Sequence, residues 1–264
     1  MSGNKLKILF LGDLAGKPGR IAVKNFLEQE WQNYDFVIAN VENASHGFGL
    51  TAKNYEELSA VGIDCMTSGN HIWDKKDIFD YIENAEKLIR PINYPNAPGK
   101  GFKIFSAKDC KIGVINVLGR NFMPVIDNPL YTVESAIEEI KKETNIIFID
   151  FHAEATAEKL CYGKYFSEKG ISAFVGTHTH VQTADEMIIN GKTAYISDAG
   201  FCGDSDGIIG MDYETSLKHL ITMMPGRFEV ASSGNVCVNG VAIIIDIATG
   251  NAEDIKRINI KTTI

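Results

Sequence analysis

Residues 171–186 read "ISAFVGTHTHVQTADE". The segment "SAFVG" (172–176) is a short apolar run and predicts a buried strand, and His178 and His180 follow it one residue apart. Alternation along an extended chain would put both imidazoles on the same side. His-x-His is also a metal-binding spacing. The stretch therefore sets two expectations: an α/β sheet, and a loop beyond the strand's carboxyl end that carries ligands.

The same arrangement recurs on both sides of this stretch. Strands are predicted at "KILFL" (7–11), "DFVIAN" (35–40), "IDCMTS" (63–68), "KIGVINVL" (111–118) and "NIIFIDF" (145–151). Helical periodicity separates them: from Pro18 through "RIAVKNFLEQEW", over "AKNYEELSAVG", through "DKKDIFDYIENAEKL" (74–88) and over "TVESAIEEIKKET". The last third reads as antiparallel hairpins, with strands in "EMIIN", "GKTAYIS", "FEVA", "VCVNGVAIIIDI" and "DIKRINI". A helix over "YETSLKHLITMM" interrupts it, with the Leu, Ile and Met of 217–224 facing the core and His219 in a structural role. Such alternation predicts α/β sheets covered by helices. Without a linker, charge block or repeat, residues 1–264 are expected to form a single domain.

The chain has 264 residues, 45% apolar and 23% charged, with 26 basic against 34 acidic residues and a net charge of −8. An acidic surface repels a polyphosphate backbone, so no stable nucleic-acid complex is expected. A local metal can still hold a small anion. The opening "MSGNKLKILFLGD" lacks a signal-peptide core, and no stretch reaches transmembrane length. Cys65, Cys110, Cys161, Cys202 and Cys237 are scattered, as in a protein of a reducing cytoplasm.

The regularity that carries function lies at the strand ends. Gly12-Asp13 follows the first strand and Glu42-Asn43 the second. Gly69-Asn70-His71 follows the third, His152 follows "NIIFIDF", and His178 and His180 follow "SAFVG". Each has a bland reading. Asp13 suits a turn or N-cap, Glu42 and Asn43 a loop, Asn70 and His71 a helix cap, and His152 a core position. Open α/β sheets, however, place their sites outside the carboxyl ends of strands, where all of these residues fall. Mixed oxygen and imidazole donors suit Mn²⁺, Fe²⁺ or Zn²⁺ and fit Ca²⁺ poorly. A set of this size exceeds a four-ligand zinc site, which suggests two metals sharing a carboxylate.

In this order the motifs resemble the calcineurin-like metallophosphoesterase superfamily. Two departures stand out: Ala15 where that pattern has the His of D-x-H, and Glu42-Asn43 where it has a bridging Asp. With "GDLAGKPGR", "NVENASHGFGLT", "GNHIWDKK", "LIRPINYP", "FIDFHAEATAEK" and "VGTHTHVQTADE", they closely resemble the narrower bacterial family of 2′,3′-cyclic-nucleotide 2′-phosphodiesterases, the YmdB-like proteins.

The resemblance implies a four-layer α/β/β/α sandwich of two mixed sheets flanked by helices. It implies one metal held by Asp13, Glu42, Asn43 and His180, and a second by Glu42, Asn70, His152 and His178, with His71 as proton donor. The metals would be iron or manganese, with zinc or magnesium as alternatives. The implied reaction is hydrolysis of 2′,3′-cyclic nucleotides to 3′-nucleotides by a metal-bridging hydroxide. A small phosphodiester is the expected partner, with no membrane association, and a homo-oligomer is compatible. The alternatives are a phosphatase or another phosphodiesterase on the same site, or a metal-bound regulatory protein. His46 and Arg120 are read either as pocket residues or as ordinary loop and surface residues. "GDLAGKPG" lacks the first glycine and the hydroxyl of a P-loop, and "GDSDGIIG" lacks the terminal glutamate of a calcium loop.

Overall fold

The computed structural model describes residues 4–264. The chain first lays down part of one sheet: β1 (Lys5–Leu11), β2 (Asp13–Leu14), β3 (Phe36–Asn40) and β4 (Cys65–Thr67). Helix α1 (Gly16–Glu30) follows β2, α2 (Ala52–Ala60) follows β3, and the single turn α3 (Ile78–Tyr81) follows β4. A second sheet comes next, from β5 (Phe102–Ala107), β6 (Cys110–Leu118), β7 (Ile147–His152), β8 (Ala173–Thr177), β9 (Met187–Ile189) and β10 (Thr193–Ile196). Helices α4 (Pro129–Ile140) and α5 (Thr156–Glu168) connect β6 to β7 and β7 to β8. The chain then returns to the first sheet through β11 (Phe201–Asp204), α6 (Tyr213–Thr222), β12 (Asn235–Asp246) and β13 (Ala252–Thr263).

The first sheet runs β2-β11-β12-β1-β3-β4, with β13 on β12, and the second β5-β6-β7-β8-β10-β9. Both are mixed. Strands β1, β3 and β4 are parallel, as are β6, β7, β8 and β10, while β12 is antiparallel to β1, β11 and β13. Side-chain alternation divides each strand between two cores. Leu6, Ile8, Phe10 and Ile38 of one sheet meet Ile112, Val114, Phe148 and Val175 of the other, and Phe10 stacks on Phe148 with centroids 5.3 Å apart. On the outer faces, Leu9 and Val37 pack under Val23 and Phe26 of α1, while Ile149 and Phe151 pack with Val133 and Ile137 of α4 and Phe166 of α5. The result is the expected helix–sheet–sheet–helix order. Burial on both faces explains why these strands read as continuous apolar runs rather than alternating ones.

Helix starts follow local chemistry. Thr51, Asn128 and Asp212 cap α2, α4 and α6 by accepting from the backbone N–H of Asn54, Leu130 and Thr215, and Pro129 occupies the first turn of α4. The outer edge strand β13 is mostly exposed along its length and carries Lys256, Arg257 and Lys261. Among the described residues no helix is long and apolar enough to cross a membrane.

Several expectations need correction. The helix over 74–88 is reduced to α3 and one 3-10 turn, Ile82–Asn84. The end of that segment goes extended instead: Met66 N–H donates to Lys87 O and Ile89 N–H to Met66 O, lengthening the sheet edge beside β4. "FEVA" forms no strand beyond a bridge between Met211 and Val230. The 217–224 stripe is not core: Leu220, Ile221, Met223 and Met224 are 66–76% exposed, and Ser216 is the buried residue of α6. Four elements were not anticipated, namely β2, β5, α5 and β11. Helix α5 carries no clear apolar stripe, since its buried residues include Glu158, Lys159, Gly163 and Ser167.

Candidate metal centre

Every candidate residue stands at, or just beyond, a strand's carboxyl end. Asp13 starts β2 immediately after β1, Glu42 and Asn43 follow β3, and Asn70 and His71 follow β4. His152 ends β7, and His178 and His180 follow β8. The first group comes from one sheet and the second from the other, so the site lies where the two sheets meet.

Strand alternation does not aim the two histidines of the 178–180 loop. Strand β8 ends at Thr177, and His178 and His180 adopt positive φ of 103° and 64°. The left-handed backbone sends His178 towards His152 and His180 towards Asn43 and Asp13. Such conformations cost on the order of 1–3 kcal/mol each and persist where the surroundings over-determine them. Here a buried ion pair does so. Lys159 Nζ donates to Asp198 Oδ2 and to Thr177 O, both at 2.9 Å, while Asp198 accepts from Thr179 N–H at 3.0 Å and Gly200 N–H at 2.9 Å.

The hydrogen-bond network assigns the imidazole tautomers. Thr177 Oγ1 donates to Asp150 at 2.7 Å, so it accepts from His152 Nδ1–H at 2.9 Å, leaving His152 Nε2 bare. The carbonyl of Ile209 accepts from His180 Nδ1–H at 2.9 Å, leaving Nε2 bare beside Asn43. Glu154 Oε2 lies 3.2 Å from His178 Nε2, and its negative charge favours the tautomer with the proton on Nε2 and Nδ1 bare. That bare Nδ1 lies 3.0 Å from the bare Nε2 of His152, which is itself 3.1 Å from Glu42 Oε1. With the rings neutral, three lone-pair donors thus converge, and a cation bound there would displace the proton that Glu42 otherwise draws onto His152. Neighbouring ligands of one divalent ion lie at about such separations when metal–ligand bonds are about 2.0–2.2 Å. The ligand atoms of Glu42, His152 and His178 all lie within 4.8 Å of one another.

Oxygen acceptors with no partner mark the rest of the cluster. Asp13 Oδ1, Asn43 Oδ1 and Asn70 Oδ1 are buried and lack any hydrogen bond, against three such side-chain atoms elsewhere among the described residues. Leaving one acceptor in this state costs about 1–3 kcal/mol, which a cation would relieve. Asp13 Oδ2 accepts from His178 N–H at 3.1 Å, and its Oδ1 is 3.8 Å from His152 and 4.0 Å from His180. A Cβ on Gly69 would collide with Glu42 Oε2 and His152 Nε2, so the backbone itself forms one wall of the cluster. Burial would raise the Glu42 carboxyl, yet His152 holds it near 2. Burial would likewise lower His152, but Glu42 carries it to about 9. Burial, then His152, pushes His178 down to about 3. Burial raises Asp13.

His71 differs from the others. Its N–H donates to Glu42 Oε2 at 3.1 Å, its Nδ1 faces Asp74 Oδ2 at 2.8 Å, and its side chain is 31% exposed. It opens on a cavity of about 500 Å³ shared with Glu42, Asn43, His178 and His180. The absent D-x-H imidazole is accounted for locally. Ala15 is fully buried against Phe201 and Cys237, and Phe201 stacks on the His180 ring at 5.4 Å.

Asp13, Glu42, Asn43, His152, His178 and His180 are therefore in mutual contact, with Asn70 and His71 on the adjoining turn. His46 lines a different cavity and Arg120 a third. His219, read as structural, lies in the wall of the site cavity. Sequence reasoning missed Asp74, Glu154, Thr177, Lys159 and Asp198. Only Asp74, three residues after His71, left a local signal.

A family model described as YmdB-like protein matches residues 9–258. The chain is 48% identical over 256 residues to the 2′,3′-cyclic-nucleotide 2′-phosphodiesterase of Bacillus subtilis, covering 96% of each chain. It also resembles a crystal structure described as a novel phosphatase from Mycoplasma pneumoniae. That pair has a TM-score of 0.90 and 35% identity, covering 98% of this chain and 95% of that one. A hypothetical protein from Thermus thermophilus matches with a TM-score of 0.89 at 34% identity, over 97% of this chain and 99% of that one.

Proposed function

The chain belongs to the YmdB-like protein family, and from that premise we propose that it is a metal-dependent phosphodiesterase opening 2′,3′-cyclic nucleotides to 3′-nucleotides. The observation that carries this reading is the convergence of bare His152 Nε2, bare His178 Nδ1 and the Glu42 carboxylate, with partnerless Asp13, Asn43 and Asn70 oxygens beside them.

Two cations would sit in this set. Asp13, Glu42, Asn43 and His180 would hold one, and Glu42, Asn70, His152 and His178 the other. The mixed oxygen and nitrogen donors favour iron or manganese, with zinc or magnesium as alternatives. Bound there, divalent ions neutralise phosphoryl charge and acidify water. The residues around them fix orientation: Thr177 and Ile209 take the second ring N–H of His152 and His180, and the Glu154 carboxylate lies 3.2 Å from the outer nitrogen of His178.

Breaking the P–O2′ bond leaves a poor alkoxide, which needs a proton. His71 is the donor at the cavity edge. Protonated, it gives Nε2–H to the departing 2′ oxygen, while Asp74 accepts Nδ1–H and stabilises the imidazolium. One water is consumed, its oxygen bonds to phosphorus, and the product is a 3′-phosphate monoester. The name of the Bacillus subtilis relative supports that regiochemistry.

The test is turnover of 2′,3′-cyclic AMP with product analysis. The expected product is 3′-AMP; His71→Ala should lower kcat by roughly 10²–10⁴-fold, and Glu42→Gln should lose bound metal in elemental analysis. Release of 2′-AMP, or equal turnover by all three proteins, would sink the reading. Hydrolysis of 3′-AMP but not of the cyclic ester would make the protein a phosphatase.

A further inference from the structure

We infer that the wall of the cavity opposite the metal centre is a nucleobase slot, in which Phe48, Phe228 and His219 hold the base of the substrate by stacking. This rests on the phosphodiesterase reading above. The cavity has two chemically distinct ends. One is Glu42, Asn43, His71, His178 and His180, and the other is Phe48, Phe228, Leu220, Ile208 and Ile209. An anion would occupy the first and a flat apolar body the second, which are the two halves of a nucleotide.

The aromatic end is continuous with the chemistry. Phe48 packs edge-on against His71 at 4.7 Å, Phe228 lies 6.4 Å from Phe48 and tilted by 56°, and His219 lies 5.0 Å beyond Phe228. Both phenylalanines are only half-buried, so they keep ring surface towards the cavity rather than filling the core. The loop that presents Phe48 is built for it. Gly47 and Gly49 flank it with φ of 90° and 75°, and a Cβ on either would press on Met211 and Val230 or on Lys75. Two left-handed positions around one aromatic, six residues after Glu42, constrain where that ring can point.

Polar groups that could read a base edge are scarce there. The side chains of Leu220, Ile208, Ile209 and Met211 offer none, His219 Nδ1–H is already given to Met224 O at 3.1 Å, and the Ser216 hydroxyl on the same helix is the one further polar side chain beside them. Stacking is tolerant of base identity because every base has a π-face. The slot therefore separates nucleotides from baseless esters, and separates the four bases from one another only weakly.

Two arms test this. In the first, kcat/KM is compared for 2′,3′-cyclic AMP and for the 2′,3′-cyclic phosphate of methyl ribofuranoside, which lacks the base. Stacking on one aromatic corresponds to a preference of about 5- to 150-fold. The wild type should show it, Phe228→Ala should reduce the ratio several-fold mainly through KM, and Phe228→Trp should keep it. In the second arm, calorimetry compares adenosine 3′-phosphate with ribose 3-phosphate, without turnover. The same preference in affinity, lost in Phe228→Ala, supports the slot even if neither ester is hydrolysed, in which case only the activity reading falls. Hydrolysis of both esters at equal efficiency, or equal binding of both ligands, overturns the slot and leaves the activity standing. An unchanged ratio in Phe228→Ala overturns it as well.

Discussion

His178 and His180 owe their convergence to backbone conformation rather than to the spacing that first draws the eye. Their positive φ values turn two neighbours on one loop towards opposite halves of a cluster. The identity of the cluster was legible because Asp, Glu, Asn and His at strand ends are chemically distinctive and sit where an α/β sheet puts its site. The supporting partners were not legible: Glu154 beside His178 and Asp150 behind Thr177 act through distances of a few ångströms that no spacing rule encodes. Gly69 gives a sharp test at this scale. In Gly69→Ala the added methyl meets Glu42 and His152, so bound metal should fall well below the wild-type stoichiometry while the circular dichroism spectrum is kept. Full metal content in that variant would mean that the cluster does not close around Gly69 as described.

At the scale of elements, periodicity found strands with two buried faces and failed where an element departs from a simple pattern. Segment 74–88 has helical spacing, yet Lys87 and Ile89 are drawn into hydrogen bonds with Met66, and that competition wins. Helix α5 escaped notice because its inner face carries Lys159, an apolar stem with a cationic head, in place of a leucine. That lysine makes α5 a strut for the histidine loop through Thr177 and Asp198. Lys159→Met should leave Asp198 buried and uncompensated, costing about 3–5 kcal/mol; Lys159→Met with Asp198→Asn should recover part of this. Urea unfolding of the two variants decides it, and a single variant as stable as the wild type would show that the pair carries no strain from the loop.

For the molecule as a whole, Asp13, Glu42, Asn43 and Asn70 belong to one sheet and His152, His178 and His180 to the other. Cations in the cluster would therefore tie the sheets together as well as serve chemistry. At metal concentrations 100 to 1,000 times the dissociation constant this linkage is worth about 3–4 kcal/mol, or on the order of 5–15 °C in Tm for a chain of this size. A chelator should lower Tm by that amount and added Mn²⁺ restore it; an unmoved Tm would place no metal between the sheets. At the far border of the first sheet, β13 covers one edge of β12 from Asn235 to Ile245, a strand whose side chains run through "VCVNGVAIII". Its own outward row is fenced by Lys256, Arg257 and Lys261, cations that discourage another strand from docking. Were β13 detached, that edge of β12 would stand open as a long apolar ribbon with unpaired backbone groups, the kind of surface that recruits other strands.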